Sequence, residues 1–98
     1  MSYVLVVLVR AELDIKQAYS WYEAQSEGLG TRFLDDVNDR LDAITAHPKA
    51  YQLIHRKARR NMLHSFPYGI YFTVEGDLVV VHGCVHASRD PKVWKRRL

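Results

Sequence analysis

Ninety-eight residues with 48% hydrophobic and 11% aromatic content define one globular domain, residues 1–98, with a core of its own, and exclude a disordered chain. Cys84 is the single cysteine, which excludes an intrachain disulfide and a cysteine-based zinc site. The net charge of +3 is unevenly spread: up to residue 54 the chain carries five Lys/Arg against eight Asp/Glu, and beyond it nine against three. A basic half of this kind attracts nucleic acid, phosphate or an acidic protein, and the competing reading is a solvated face that aids solubility.

In chain order, Val4–Val9 is apolar at every position and rich in β-branched residues, which predicts a strand covered on both faces. It is too short for a signal-peptide core or a membrane span, so a cytoplasmic protein with no membrane partner is expected. Ala11 to Gln25 reads as a helix with Ala11, Ile15, Ala18 and Tyr22 on one face and Tyr19 beside them. Glu12 and Asp14 would complement the positive end of its dipole, and Gly28 and Gly30 would break it.

The second helix spans Thr31 to Ala46, with Leu29, Phe33, Val37, Leu41 and Ile44 on the apolar face. Asp35, Asp36, Asp39 and Asp42 are read as its wet face. His47-Pro48 ends it, because the residue before proline resists helical geometry. The two helices should form an antiparallel hairpin. Strands follow: a fragment at Tyr51–Ile54, then Arg60–Ser65, Ile70–Val74 and Leu78–Val85, the last two joined through Glu75-Gly76-Asp77. The expected class is α+β, a helical hairpin packed on a twisted antiparallel sheet, in the order β-α-α-β-β-β with a basic C-terminal tail.

Four stretches then carry a resemblance. They are the opening strand with Ala11-Glu12-Leu13-Asp14-Ile15; Gly28-Leu29-Gly30-Thr31-Arg32-Phe33-Leu34 with Pro48; Arg60 with Phe66-Pro67-Tyr68-Gly69-Ile70-Tyr71-Phe72; and His86-Ala87-Ser88-Arg89-Asp90-Pro91-Lys92-Val93-Trp94 with the basic end. In this order and spacing the chain resembles the RelE/ParE superfamily of toxins from type II toxin–antitoxin pairs. The resemblance implies a cognate antitoxin that wraps over the toxin. It also implies one of two activities, cleavage of mRNA in the ribosome on the RelE side or inhibition of DNA gyrase on the ParE side, and the third reading is a non-toxic binding module on the same fold.

RNA cleavage without a metal needs an acid/base pair, cations on the phosphate and a stacking surface. The catalytic candidates for an endoribonuclease are His86 as acid/base and Arg89 and Arg60 as phosphate clamps, with His82 and Tyr71 as further candidates. His82 and His86 share strand parity, which predicts side chains on one face of the sheet. The competing reading of each is structural. RelE-type nucleases carry a C-terminal tyrosine shortly after the arginine, whereas this chain reads Asp90-Pro91-Lys92-Val93-Trp94. The ParE side is therefore favoured.

The candidate partner-binding residues are Arg56, Arg59, Arg60, Arg89, Trp94, Arg96 and Arg97. The Arg56–Arg60 and His86–Arg89 clusters are expected to converge on a concave face, and Trp94 to dock on the domain or on the antitoxin. The histidines show no ligand spacing and there is no Gly-rich phosphate loop, so no metal and no cofactor is expected. Cys84, within an apolar run, is read as a small core residue.

Overall fold

A computed structural model describes residues 2–98. Strand β1 (Val4–Val7) leads into helices α1 (Val9–Gln25) and α2 (Leu29–Ala46), and a single 3-10 turn at Pro48–Ala50 follows. Strands β2 (Leu53–His55), β3 (Ala58–Met62), β4 (Tyr68–Glu75) and β5 (Leu78–His86) complete the sheet, and a one-turn helix α3 (Lys92–Lys95) lies in the basic tail. The sheet order is β1-β5-β4-β3-β2, antiparallel throughout except for the parallel β1–β5 pair.

The α+β class and the helical hairpin match the sequence reading; the sheet differs from it in two ways. It is mixed, because β1 pairs parallel with β5, and it gains a strand, because β2 and β3 form a hairpin around Arg56-Lys57. Arg56 takes a left-handed backbone there, φ 54°, an uncommon conformation for a residue with a Cβ.

β1 is also an edge strand, half-buried rather than covered on both faces. It stops at Val7. The Leu8 N–H still donates to Val81 O, but the Leu8 carbonyl accepts from Glu12 N–H and so opens α1. Part of the apolar run is thus spent on the exposed start of a helix.

Between the helices, Gly28 supplies the left-handed turn at φ 86°. Glu23 of α1 reaches across it: its carboxylate accepts Gly28 N–H at 3.0 Å and Gly30 N–H at 2.9 Å. Two of the unpaired amides at the start of α2 are satisfied in this way. Gly30 is therefore inside α2, not a breaker. A Cβ there would meet the Tyr19 ring at 2.8 Å, so the glycine permits the close approach of the two helices.

The main core lies between the hairpin and one face of the sheet. Ala11 and Ala18 of α1 and Phe33, Val37, Leu41 and Ile44 of α2 pack on Ile70, Phe72, Val79, Val81 and Cys84. Rings of Tyr22, Phe33, Phe66 and Tyr68 interlock at one end, with centroids 4.8–6.1 Å apart. This spacing suits edge-to-face and offset contacts. Cys84 is buried, and burial, with the negative charges of Asp14 and Asp36, pushes its thiol up to about 12. It stays protonated and behaves as a small apolar residue.

A second, smaller core sits on the opposite face, where Tyr71 and Val85 are covered by Trp94 of the tail with Ile54, Val93 and Leu98.

Asp36 departs from the wet face assigned to it. It is buried and accepts the backbone N–H of His64 at 3.0 Å and of Ser65 at 2.7 Å, tying the β3–β4 loop to α2. Hydrogen bonds to a charged group contribute about 1.5–3 kcal/mol each, net of the bonds to water they replace, and toward the lower end where water can reach the freed amides. Asp36→Ala is expected to lower stability by about 2 kcal/mol. Urea denaturation measures this, and a loss below about 0.5 kcal/mol would mean that water satisfies the loop amides as well as the carboxylate does.

Candidate functional site

β1 covers only part of its neighbour: its register runs from Leu78 to Val81 of β5, so the β5 edge beyond Val81 has no strand beside it. Side chains close that edge instead. The Asp14 carboxylate of α1 accepts Cys84 N–H at 3.0 Å. Arg97 of the tail forms a two-pronged pair with the same carboxylate, Nη1 to Oδ2 and Nη2 to Oδ1, the latter at 3.1 Å. Asp14 thus departs from the helix-dipole role read for it. Gly83 makes room for the pair, because a Cβ there would lie 2.8 Å from Arg97 Nη1.

Beside this edge opens a cleft of about 430 Å3 between α1, the end of β5 and the tail. His86 and Arg89 line it together with Arg10, Gln17, Trp21 and Tyr68. His86 is tightly held. Its Nδ1 accepts Ser88 N–H at 3.0 Å and lies 2.8 Å from the Ser88 hydroxyl, and its ring packs edge-on to Tyr68 at 5.1 Å. The accepting Nδ1 leaves the proton of the neutral imidazole on Nε2. Burial raises the Tyr68 hydroxyl above its ordinary value, with Arg89 opposing the shift.

The remaining catalytic candidates lie elsewhere. Arg60 pairs in register with Tyr71, whereas His86 pairs with Tyr68, three residues away along β4 and on the other face of the sheet. The Arg60 stem crosses Gly69, and its guanidinium stands 6.0 Å from the Tyr71 ring centre. The Arg56–Arg60 cluster and the His86–Arg89 cluster therefore do not share a concave face.

His82 is separated from His86 as well. The β4–β5 register shifts between Tyr71 and Phe72, which makes His82 the extra residue of a bulge. Its Nε2 meets the Thr73 hydroxyl at 2.9 Å in a groove lined by His55 and Leu98, and burial lowers its pKa, partly offset by Glu75. Strand parity placed the two histidines together; one inserted residue parts them.

The partner-binding candidates divide. Trp94 is only 9% exposed, stacked on Tyr71 at 4.8 Å and 19° and edge-on to His55 at 6.0 Å, so its ring serves the protein's own second core. Arg59 donates to Tyr51 O at 2.6 Å and Lys49 O at 3.3 Å, and Arg97 is held by Asp14. These three act within the fold. Arg56, Arg60, Arg89 and Arg96 are exposed. Among the described residues no group of His, Cys, Asp and Glu could hold a metal ion, and no helix is long and apolar enough to cross a membrane.

Two features escaped the sequence reading. Asp14 and Arg97 are far apart in the chain, and no local signal links them. The exposed side of α1 was legible in principle, since Val9, Leu13, Gln17 and Trp21 recur every four residues.

A helical hairpin on a five-stranded mixed sheet is the architecture of the RelE/ParE toxins. The structure matches one of the chromosomal ParDE toxin–antitoxin system of P. aeruginosa with a TM-score of 0.77 at 14% identity, covering 89% of this chain and 98% of that one. The isolated RelE toxin of E. coli matches with a TM-score of 0.67 at 20% identity, over 99% and 100% of the two chains. At such identities the likeness is one of fold. No curated protein matches in sequence. The family model described as "ParE toxin of type II toxin-antitoxin system, parDE" matches residues 5–91. The chain belongs to the ParE toxin family of type II toxin–antitoxin systems.

Proposed function

We propose that the protein arrests growth by binding and inhibiting DNA gyrase in the cytoplasm, with no cleavage step of its own, and that a cognate antitoxin neutralises it by direct binding. One observation carries the choice between the two activities of the superfamily: Arg60 and His86 lie on opposite faces of the sheet, and Arg89 lines the cleft of His86 without Arg60. Acid/base and phosphate-clamp groups must surround one reacting phosphate, within hydrogen-bond reach of it. The tail adds to this, since the position near its end is filled by a buried tryptophan rather than a free tyrosine. Arg56, Arg60, Arg89 and Arg96 are the exposed cations offered to acidic partners, where their contribution is mainly to association rate and orientation.

Purified protein is expected to abolish supercoiling by gyrase, while messenger RNA in arrested cells stays intact. His86→Ala should keep inhibition within about twofold of the parent, because a residue outside a binding surface changes its free energy by no more than about 0.5 kcal/mol. Cut transcripts with normal supercoiling, and loss of arrest in His86→Ala, would establish the ribonuclease reading instead.

A further inference from the structure

The groove that holds His82 encloses about 590 Å3, more than the about 430 Å3 of the cleft beside the β5 edge. It opens beside the second core, on the face of the sheet away from the helices. Ala58 and Leu98 give its lining an apolar part, and His55, Arg56 and Lys57 bring the turn of the β2–β3 hairpin beside them.

The polar groups of this groove differ in whether the protein satisfies them. Glu75 is its acidic lining residue, and its carboxylate accepts the Thr73 hydroxyl at 3.1 Å. That hydroxyl has one proton to give, so the His82 Nε2–H donates to its oxygen, at 2.9 Å. The chain His82–Thr73–Glu75 is therefore satisfied internally. Arg56 and Lys57 are not: both are exposed, and among the described residues neither is ion-paired.

The turn itself points the same way. Arg56 holds φ 54° in a two-residue hairpin turn, where glycine, asparagine or aspartate is favoured. A larger side chain costs stability there, and such strain persists where the side chain serves a site.

We infer that this groove receives a short acidic segment of the gyrase target, with its carboxylates on Arg56 and Lys57 and an apolar side chain over Ala58 and Leu98. A cavity of this volume takes a few side chains rather than a whole helix about 10–12 Å across. Nucleic acid fits less well. Among the described residues no Phe, Tyr or Trp lines the groove, and the nearby Trp94 and Tyr71 rings are stacked on each other, so no such ring is open to a base. The inference rests on the proposed inhibition of gyrase.

The test is inhibition of supercoiling by purified gyrase, read as the concentration of this protein that halves the rate. Arg56→Glu/Lys57→Glu should raise that concentration at least about tenfold, because reversed charges repel an acidic segment. Arg56→Gly/Lys57→Gln removes the charges and suits the left-handed turn. It should melt no lower than the parent, yet need at least about threefold more protein. Both differences from the parent should shrink as salt is raised.

If the parent does not inhibit gyrase, the gyrase reading fails and takes this surface with it. If the parent inhibits and the folded glycine variant inhibits equally well, the reading stands and this surface is wrong. Binding of the parent to DNA alone, lost in the variants in step with inhibition, would give the groove to nucleic acid. Inhibition kept while antitoxin binding is lost, or while a dimer of the parent dissolves, would give it to the antitoxin or to a second copy of the chain. Each of these results overturns the inference.

Discussion

Replacing Arg97 by alanine is expected to lower the unfolding free energy by about 3–5 kcal/mol, which is a large share of the roughly 5–15 kcal/mol that holds a domain of this size. The side chains of Arg97 and Asp14 are only 16% and 13% exposed, so the variant leaves a carboxylate in a poorly solvated place. Cys84 N–H remains as its partner at 3.0 Å, but one amide does not replace a two-pronged guanidinium. Arg97→Lys should fall between parent and alanine, since an ammonium keeps the charge and loses the fork. The same loss releases the tail that closes the β5 edge, and an uncovered edge invites pairing with another chain. Denaturant unfolding reads the stability, and light scattering of the folded variant reads association. A cost under about 1 kcal/mol would show the pair to be as weak as an ordinary surface ion pair.

Trp94→Ala carries the other large effect, about 3–5 kcal/mol, as for other buried aromatic truncations. Trp94 is the main cover of the second core, over Tyr71, Val85 and Ile54. Because that core lies across the sheet from the helices, the variant should retain its helical signal at low temperature and lose the tail first. Fluorescence separates these events. The chain has two tryptophans; Trp21 is exposed and Trp94 buried, so a blue-shifted component is expected in the parent's emission and should come from Trp94. Trp94→Ala should leave only red-shifted emission. Combined with Arg97→Ala its cost should be less than additive, because both residues hold one segment. Full additivity would mean that pair and ring act independently.

Much of the fold is legible in the sequence because it rests on local periodicity. The 3.6-residue repeat of Phe33, Val37, Leu41 and Ile44 specifies α2, and His47-Pro48 ends it. Gly76 allows the turn between β4 and β5, with φ 63°. Ala11, Ala18 and Tyr22 mark the buried face of α1 without any knowledge of their partners. The lone buried Cys84 likewise follows from its apolar surroundings.

The site was less legible, because it depends on contacts between distant residues. The candidates His86, Arg89 and Arg60 were chosen for their chemistry, and chemistry does not say which face of a sheet a side chain occupies. That depends on register, and a bulge at His82 reversed the alternation that sequence parity predicts. Trp94 was expected to dock on the domain or on the antitoxin and Arg97 to meet a partner; the fold supplies Tyr71 for the first and Asp14 for the second.

The sequence by itself determined the α+β class, the helical hairpin and the basic character of the second half, since these follow from patterns a few residues long. Only the tertiary structure decided which of those basic residues are free. Burial against Asp14 and the sheet converts some of them into internal ties, and the register of β3, β4 and β5 sets Arg60 and His86 on opposite faces.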